Sequence, residues 1–137
     1  MSDQLVRFAD WPERLVEFIE SRRHARFEWG VNDCCLFPAD AVLAMTGTDR
    51  AADLRGHADE FSAMRVVRDA GGLPSLLASR LKERTVIWLA QRGDVVCATL
   101  DGRETAGIVA GNGDWCTPGV ERLVFRPMSE VTRVFEV

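Results

Sequence analysis

The sequence predicts an α+β fold, because helical patterns fill the first half of the chain and strand patterns fill the second half. Up to Leu81 the apolar residues recur at helical spacing, whereas short β-rich runs follow from Val86 to Val137. The length of 137 residues suits one domain with one core. We therefore expect a single domain over residues 1–137, in which N-terminal helices pack on a small, mainly antiparallel C-terminal sheet.

The first half carries the signals of several helices and of their ends. Glycine readily adopts the left-handed conformation that ends a helix, so Gly47 and the pair Gly71–Gly72 mark two helix ends. The predicted helices are one that starts at the capping-box pair Asp10 and Glu13, one over Asp33–Met45, one that carries Phe61, Met64 and Val67, and one over Pro74–Leu81.

The second half carries strand and hairpin signals. Asp101–Gly102 is a strong hairpin signal, and Gly111–Asp114 predicts a further turn. The predicted strands are Val86–Ala90, Val95–Leu100, Thr105–Ala110, Val120–Phe125 and Val131–Val137.

The tryptophans fall into two groups. Trp11, Trp29 and Trp88 are expected to anchor the core. Trp115 follows a glycine-rich turn, and two interpretations are open for it. It is either an exposed anchor for a binding partner, a common role of tryptophan at interfaces, or a packed side chain.

Charge and hydropathy limit the possible partners and locations. The net charge of −4, with arginines scattered among acids, argues against a nucleic-acid partner. The chain has no run of about 18 apolar residues, so no membrane span is expected. The N-terminal segment MSDQLVRFAD lacks the apolar region of a secretory signal. We therefore expect synthesis in the bacterial cytoplasm and release, if any, by assembly or lysis.

The cysteines suit a reducing compartment. Free thiols are expected at Cys34, Cys35, Cys97 and Cys116. They form no C-x-x-C pair, and the chain has only 2 histidines, so no structural metal site is predicted. We expect no cofactor.

The segment from Phe27 to Cys35 is the most informative for function. Cys34 follows Asn32 and Asp33 at the start of a predicted helix. A helix N-terminus offers unpaired N–H groups and a partial positive charge, which favour a nucleophilic thiolate. The alternative is that Asn32 or Asp33 only caps the helix while Cys34 is a small buried residue.

These landmarks resemble the NlpC/P60 cysteine peptidases, a papain-like family. Trp29–Gly30 followed by Asp33–Cys34 is similar to the nucleophile motif of that family. Gly93–Val96 resembles its Gly-Asp-apolar-apolar strand, and Gly107–Gly111 resembles the strand that carries its His-x-Gly-Ile segment. The order and spacing agree over Phe27–Gly113. More narrowly, the sequence is similar to a branch found in phage and prophage tail gene clusters that lacks the usual catalytic histidine.

The chain departs from that family at the other catalytic positions. Thr105 stands where the resemblance places the histidine, with Ala106 beside it, and neither side chain can act as a general base. The third polar group of the family has no His, Asn or Gln counterpart over residues 115–119. Pro38 lies about one turn into the nucleophile helix, where it is expected to kink the helix or shift its start.

Other residues could take part in the chemistry. His57 and His24 are weighed as substitute bases for Cys34, although solvated surface histidines are the ordinary interpretation of both. Cys35 is the residue most easily confused with the nucleophile, but consecutive helical residues point about 100° apart, so both thiols are not expected to face one cleft.

Three functions follow from these observations. The first is a structural module of a phage-like tail tip, whose degenerate NlpC/P60 site at Cys34 binds other tail-tip proteins or a peptidoglycan peptide. Its contacts are expected at Trp29, Asp33 and Trp115. The second is an active peptidoglycan hydrolase that uses Cys34 and an unidentified base. The third is a papain-fold acyltransferase or deamidase unrelated to phage.

Overall fold

A computed structural model describes residues 4–57 and 59–137. Residues 1–3, which begin the segment in which no secretory signal is expected, lie outside the described part, as does residue 58. The helices are α1 (Trp11–Arg22), α2 (Leu36–Thr46), α3 (Glu60–Asp69) and α4 (Leu73–Ala78). The strands are β1 (Lys82–Arg84), β2 (Val95–Leu100), β3 (Arg103–Gly111), β4 (Asp114–Pro118), β5 (Leu123–Pro127) and β6 (Val131–Glu136).

The described strands form one antiparallel sheet, which confirms the α+β prediction. Their order is β1-β6-β2-β3-β4-β5. The predicted hairpin at Asp101–Gly102 joins β2 to β3, and both residues have positive φ, 51° and 78°. Positive φ at both central residues is the requirement of a tight type I′ turn.

Each face of the sheet carries its own apolar cluster. The larger cluster lies between the sheet and the helices, and contains Leu15, Phe37 and Val42 from the helices with Cys97 and Ala106 from the sheet. The smaller cluster lies on the opposite face, where Ala90 and Met128 cover Val96, Val109, Trp115 and Val134. Because side chains alternate along a strand, neighbouring residues of β3 face different clusters.

The start of α2 lies later than the sequence pattern predicted. The helix begins at Leu36 rather than Asp33, and Pro38 is its third residue. Pro38 has no N–H to donate to the carbonyl of Cys34, four residues earlier, so the helix is regular only from Leu36, which is the shifted start expected from this proline. The turn before it is still closed by the hydrogen bond from Phe37 N to the carbonyl of Asp33 at 2.9 Å. The predicted end is confirmed, since Gly47 has φ 77° and its N–H donates to the carbonyl of Leu43 at 2.8 Å.

The predicted capping box of α1 is absent from the described contacts of Asp10. Its side chain makes no capping hydrogen bond and instead accepts from Arg14 Nε at 2.8 Å. The capping role fails because a basic residue one turn later competes for the same carboxylate. In α3, by contrast, Asp59 caps the helix by accepting from the N–H of Ser62.

The strand predicted over Val86–Ala90 was wrong. Ile87–Leu89 form a short 3-10 turn, and the strand of this region is β1, which precedes it. This turn is closed by hydrogen bonds from Leu89 N to the carbonyl of Val86 at 3.2 Å and from Ala90 N to the carbonyl of Ile87 at 3.0 Å. The strand predicted over Val120–Phe125 begins at Leu123 and runs to Pro127.

The structure corrects the expectation for Trp88 and decides between the two interpretations of Trp115. Trp88, expected in the core, is 86% exposed, and Trp115, one of the expected partner contacts, is fully buried. Trp115 packs over Gly107, where an added Cβ would lie 2.8 Å from Trp115 Cε3. The glycine therefore makes room for the indole within the smaller cluster. Trp11 and Trp29 are partly buried.

The carboxylate of Asp94 ties the chain ends to the sheet. It is fully buried and ion-pairs with Arg7 at 3.2 Å and Arg84 at 2.8 Å. The same carboxylate accepts from the backbone N–H groups of Gln91 at 2.8 Å and Val137 at 3.2 Å. The segment before α1, β1 and the end of β6 therefore meet at one buried charge.

We expect Asp94→Ala to lower the free energy of unfolding by about 3–5 kcal/mol, because it leaves two arginines without their buried counter-charge. Chemical denaturation measures this change. Asp69→Ala, which removes an exposed partner of Arg68, is the matched control and should leave the unfolding midpoint unchanged. Equal effects of the two substitutions would contradict the anchoring role of Asp94.

The exposure of Trp88 and the burial of Trp115 give a second stability prediction. Trp115→Ala should lower the free energy of unfolding by about 3–5 kcal/mol, because it empties a packed site. Trp88→Ala should change it by no more than about 0.5 kcal/mol, because the side chain is exposed. Thermal and denaturant unfolding of both variants test the assignment, which fails if Trp88→Ala is the more destabilising.

Candidate functional site

The turn before α2 is organised by the buried carboxylate of Asp33. Its Oδ1 accepts from the N–H groups of Cys35 at 3.0 Å and Leu36 at 2.8 Å, while Oδ2 accepts from Gly30 N at 2.9 Å. The backbone carbonyl of Asp33 accepts from Phe37 N at 2.9 Å, which is the first helical hydrogen bond. Asp33 thus caps the helix, and Cys34 lies inside the first turn, as predicted, although α2 is assigned from Leu36.

The preceding loop is held by Asn32. Its side-chain amide donates to the carbonyl of Arg26 at 2.9 Å, and its Oδ1 accepts from Arg22 at 3.1 Å. The backbone of Asn32 pairs with that of Glu28 in both directions. Trp29, at the tip of this loop, packs edge-on against Phe27 with ring centroids 4.7 Å apart. The loop geometry is therefore fixed independently of any ligand.

Cys34 is a half-buried thiol with two polar neighbours. The Cys35 thiol, which donates a hydrogen bond to the sulfur of Cys34, lowers the pKa of Cys34 most. Burial and the Asp33 carboxylate oppose that shift, and the backbone amide of Ala106 adds to it. The same hydrogen bond raises the pKa of Cys35, so Cys34 ionises before Cys35 as the pH rises. Both residues pack against the larger cluster, and Cys35 but not Cys34 lines the hollows beside α2.

Ala106, rather than Thr105, faces Cys34. Ala106 belongs to the cluster under the helices, whereas Thr105 pairs with Ala98, a member of the cluster on the opposite face. The sequence alignment with the family placed the missing histidine at Thr105, one residue away, and one residue along a strand reverses the face. The side chain beside the nucleophile position is therefore a methyl group.

The remaining candidates for a catalytic partner lie elsewhere. Thr117, on the strand expected to carry the third polar group, donates its hydroxyl to the carbonyl of Ala106 at 2.8 Å. His57 lines a hollow of about 20 Å³ together with Asp33 and Cys35. His24 is exposed beyond the end of α1. The strongest influences on the pKa of Cys34 include neither histidine.

Two further thiols lie on the sheet. Cys97 and Cys116 are both buried, and burial raises the pKa of each to about 12. Cys97 lies on β2 directly opposite Ala106, so it is a cross-strand neighbour of the residue that contacts Cys34. From the sequence, Cys97 was interpreted only as a core or surface thiol. The alternation of side chains along β2 and β3 is the signal that could have placed it near Cys34.

The described residues contain neither a metal-binding cluster nor a membrane-spanning helix. No cluster of three or more His, Cys, Asp or Glu side chains in residues 4–57 and 59–137 could hold a metal ion. In the same ranges, each helix is too short or too polar to cross a bilayer.

Comparison with known proteins adds to this geometry. Residues 6–137 match the family described as "Domain of unknown function (DUF6950)". The chain belongs to the DUF6950 family. No curated protein sequence matches this DUF6950 chain.

A solved structure shares the fold of the DUF6950 chain. It is RipD from Mycobacterium tuberculosis, described as a non-catalytic NlpC/p60 domain protein with an adaptation to peptidoglycan-binding function. The TM-score is 0.50 at 14% identity, and the match covers 95% of this chain and 98% of that chain. The predicted NlpC/P60-type fold is thereby confirmed.

The environment of Cys34 predicts its reactivity. Because the pKa of Cys34 is lowered by a thiol and a backbone amide rather than by an imidazolium, its alkylation should begin at lower pH than that of an ordinary cysteine, but not at the low pH of imidazolium-paired thiolates. The measurement is the pH dependence of iodoacetamide labelling, localised by mass spectrometry. Cys35→Ala should move the profile to higher pH, whereas Cys116→Ala should not. A midpoint below pH 5 would indicate an undetected cationic partner.

Proposed function

We propose that this DUF6950 domain is a catalytically degenerate NlpC/P60-like module that acts by binding, at the tip of a phage-like tail. The observation that carries the proposal is the methyl group of Ala106 beside the Cys34 thiol. A cysteine peptidase needs a base at this place, itself oriented by a third polar group. Thr117, on the strand expected to carry the third polar group, donates its hydroxyl to the carbonyl of Ala106 instead.

A peptide of peptidoglycan is the ligand that we propose for the module. The fold is shared with RipD, whose description joins a non-catalytic NlpC/p60 domain to peptidoglycan binding. The half-buried Trp29 packs on Phe27 in the fixed loop ahead of Asp33, and it is the aromatic contact that we propose for the peptide. Neighbouring tail-tip proteins are the proposed partners in the assembled particle, after synthesis in the bacterial cytoplasm.

An active hydrolase is the second candidate, and one observation favours it. The pKa of Cys34 is lowered by its hydrogen bond from Cys35, so part of the nucleophile's activation persists. The histidine nearest this region lines the hollow that also contains Cys35 and Asp33. Turnover that depends on both Cys34 and His57 would establish this candidate in place of the first.

The catalytic question is tested by incubating muropeptides with native protein and three variants. Native protein and Cys34→Ala should show no turnover, because a general base contributes about 10²–10⁴-fold. Ala106→His places an imidazole on the face of Cys34, whereas Thr105→His places it on the opposite face and is the matched control. Native turnover that disappears in Cys34→Ala would refute the non-catalytic proposal.

The binding question is tested by co-sedimentation with purified peptidoglycan sacculi. Native protein should sediment, and Trp29→Ala should reduce the bound fraction, because it removes the aromatic contact of the loop. Trp88→Ala is the control, since it deletes an exposed tryptophan outside the site. Equal retention of Trp29→Ala and native protein would contradict the proposed site. Detection of the chain in purified phage-like particles would test the tail-tip location.

A further inference from the structure

Three of the four cysteines converge on one point of the fold. Cys34 and Cys35 pack against the cluster that also contains Cys97, and the Cys34 sulfur contacts the backbone of Ala106. Cys97 lies directly across the strand pair from Ala106. Side chains directly opposite in an antiparallel pair have Cβ atoms about 4.5–5.5 Å apart. The Cys97 thiol therefore lies behind Cys34, on the same face of the sheet.

The three thiols have different exposure and different pKa values. Cys34 is half-buried and has a lowered pKa, whereas Cys97 is 1% exposed and burial raises its pKa to about 12. The Cys35 S–H donates a hydrogen bond to the Cys34 sulfur and keeps its proton. A partly exposed thiolate backed by a second thiol is the arrangement in which oxidation ends at a disulfide instead of proceeding to sulfinic acid.

We propose that Cys34 is an oxidation site for hydroperoxides and that Cys97 is the thiol that converts its sulfenic acid to a disulfide. The Cys34 thiolate attacks one oxygen of the peroxide, the O–O bond breaks, and the other oxygen leaves and takes a proton. The Cys97 sulfur then attacks the Cys34 sulfur, the S–O bond breaks, and water leaves with the Cys97 proton. Two thiols are oxidised to one disulfide, and the hydroperoxide is reduced.

Cys97, rather than Cys35, is the partner in that disulfide. The Cα atoms of consecutive residues are about 3.8 Å apart across a trans peptide, below the roughly 4.4–6.8 Å that disulfides span. A Cys34–Cys35 bridge would therefore distort the first turn of α2, where Asp33 holds the amides of Cys35 and Leu36. Cys35 instead positions the thiolate by its hydrogen bond.

Peptide mapping after hydrogen peroxide treatment of the native, folded chain tests the proposal. Trypsin places Cys34 and Cys35 in residues 27–50, Cys97 in residues 93–103 and Cys116 in residues 104–122. The expected product is a linked pair of the first two peptides, lighter than their sum by two hydrogens, that a reductant separates. Fragmentation then locates the bond at Cys34.

Variants separate the roles of the thiols. Cys34→Ser should abolish the linked pair, and Cys97→Ala should replace it with a dimedone adduct at Cys34. Cys116→Ala, which alters an equally buried thiol of the same cluster, should leave the linked pair unchanged. A bridge inside residues 27–50, a link to residues 104–122, or sulfinic acid at Cys34 without any link in native protein would each overturn the proposal. The muropeptide result does not bear on any of these outcomes.

Discussion

The buried carboxylate of Asp94 is the interaction on which the rest of the fold depends. A charge removed from water is tolerated only where opposite charges and hydrogen-bond donors surround it, and Asp94 has two arginines and two backbone amides. Those partners come from segments far apart in the sequence. Their convergence fixes where β2 starts and, through the β2–β3 pairing, where Ala106 lies relative to the nucleophile helix.

Asp33 is a second buried carboxylate that organises a turn by accepting backbone hydrogen bonds, at the start of the nucleophile helix. Each aspartate accepts backbone N–H groups from a turn that includes or follows a glycine with positive φ, Gly30 at 80° and Gly93 at 91°. The landmarks that resemble the NlpC/P60 family are thus hydrogen-bonding elements that shape loops and a helix start. They hold these loops and this helix start whether or not the chain is catalytic.

The features predictable from the sequence are those with local causes. The β2–β3 hairpin follows from the conformational needs of Asp101 and Gly102, and the end of α2 follows from Gly47. The features that failed depend on distant contacts or on register. Trp88 lies on a 3-10 turn just before the loop held by Asp94, and Trp115 is buried because Gly107 on the neighbouring strand leaves it space. Local sequence patterns show neither feature.

The identity of the residue beside Cys34 shows the same limit most sharply. A shift of one residue along a strand exchanges its faces, so an alignment that is correct in order can still choose the wrong side chain. Neither Thr105 nor Ala106 can act as a general base. The expectation that no base stands beside Cys34 is therefore the same for either position. Whether an introduced histidine can reach Cys34, however, depends on the face of β3 that it occupies.

The chemistry left at the site separates reactivity from turnover. A thiolate stabilised by Cys35 and the Ala106 amide can attack an electrophile once, because attack needs only the electron pair of the sulfur. Peptide hydrolysis needs more, since the leaving amine must receive a proton and an attacking water must lose one. Cys35 is a weak proton donor because its pKa is raised by its hydrogen bond to Cys34. The arrangement therefore favours a thiol that reacts stoichiometrically over one that turns over a peptide substrate.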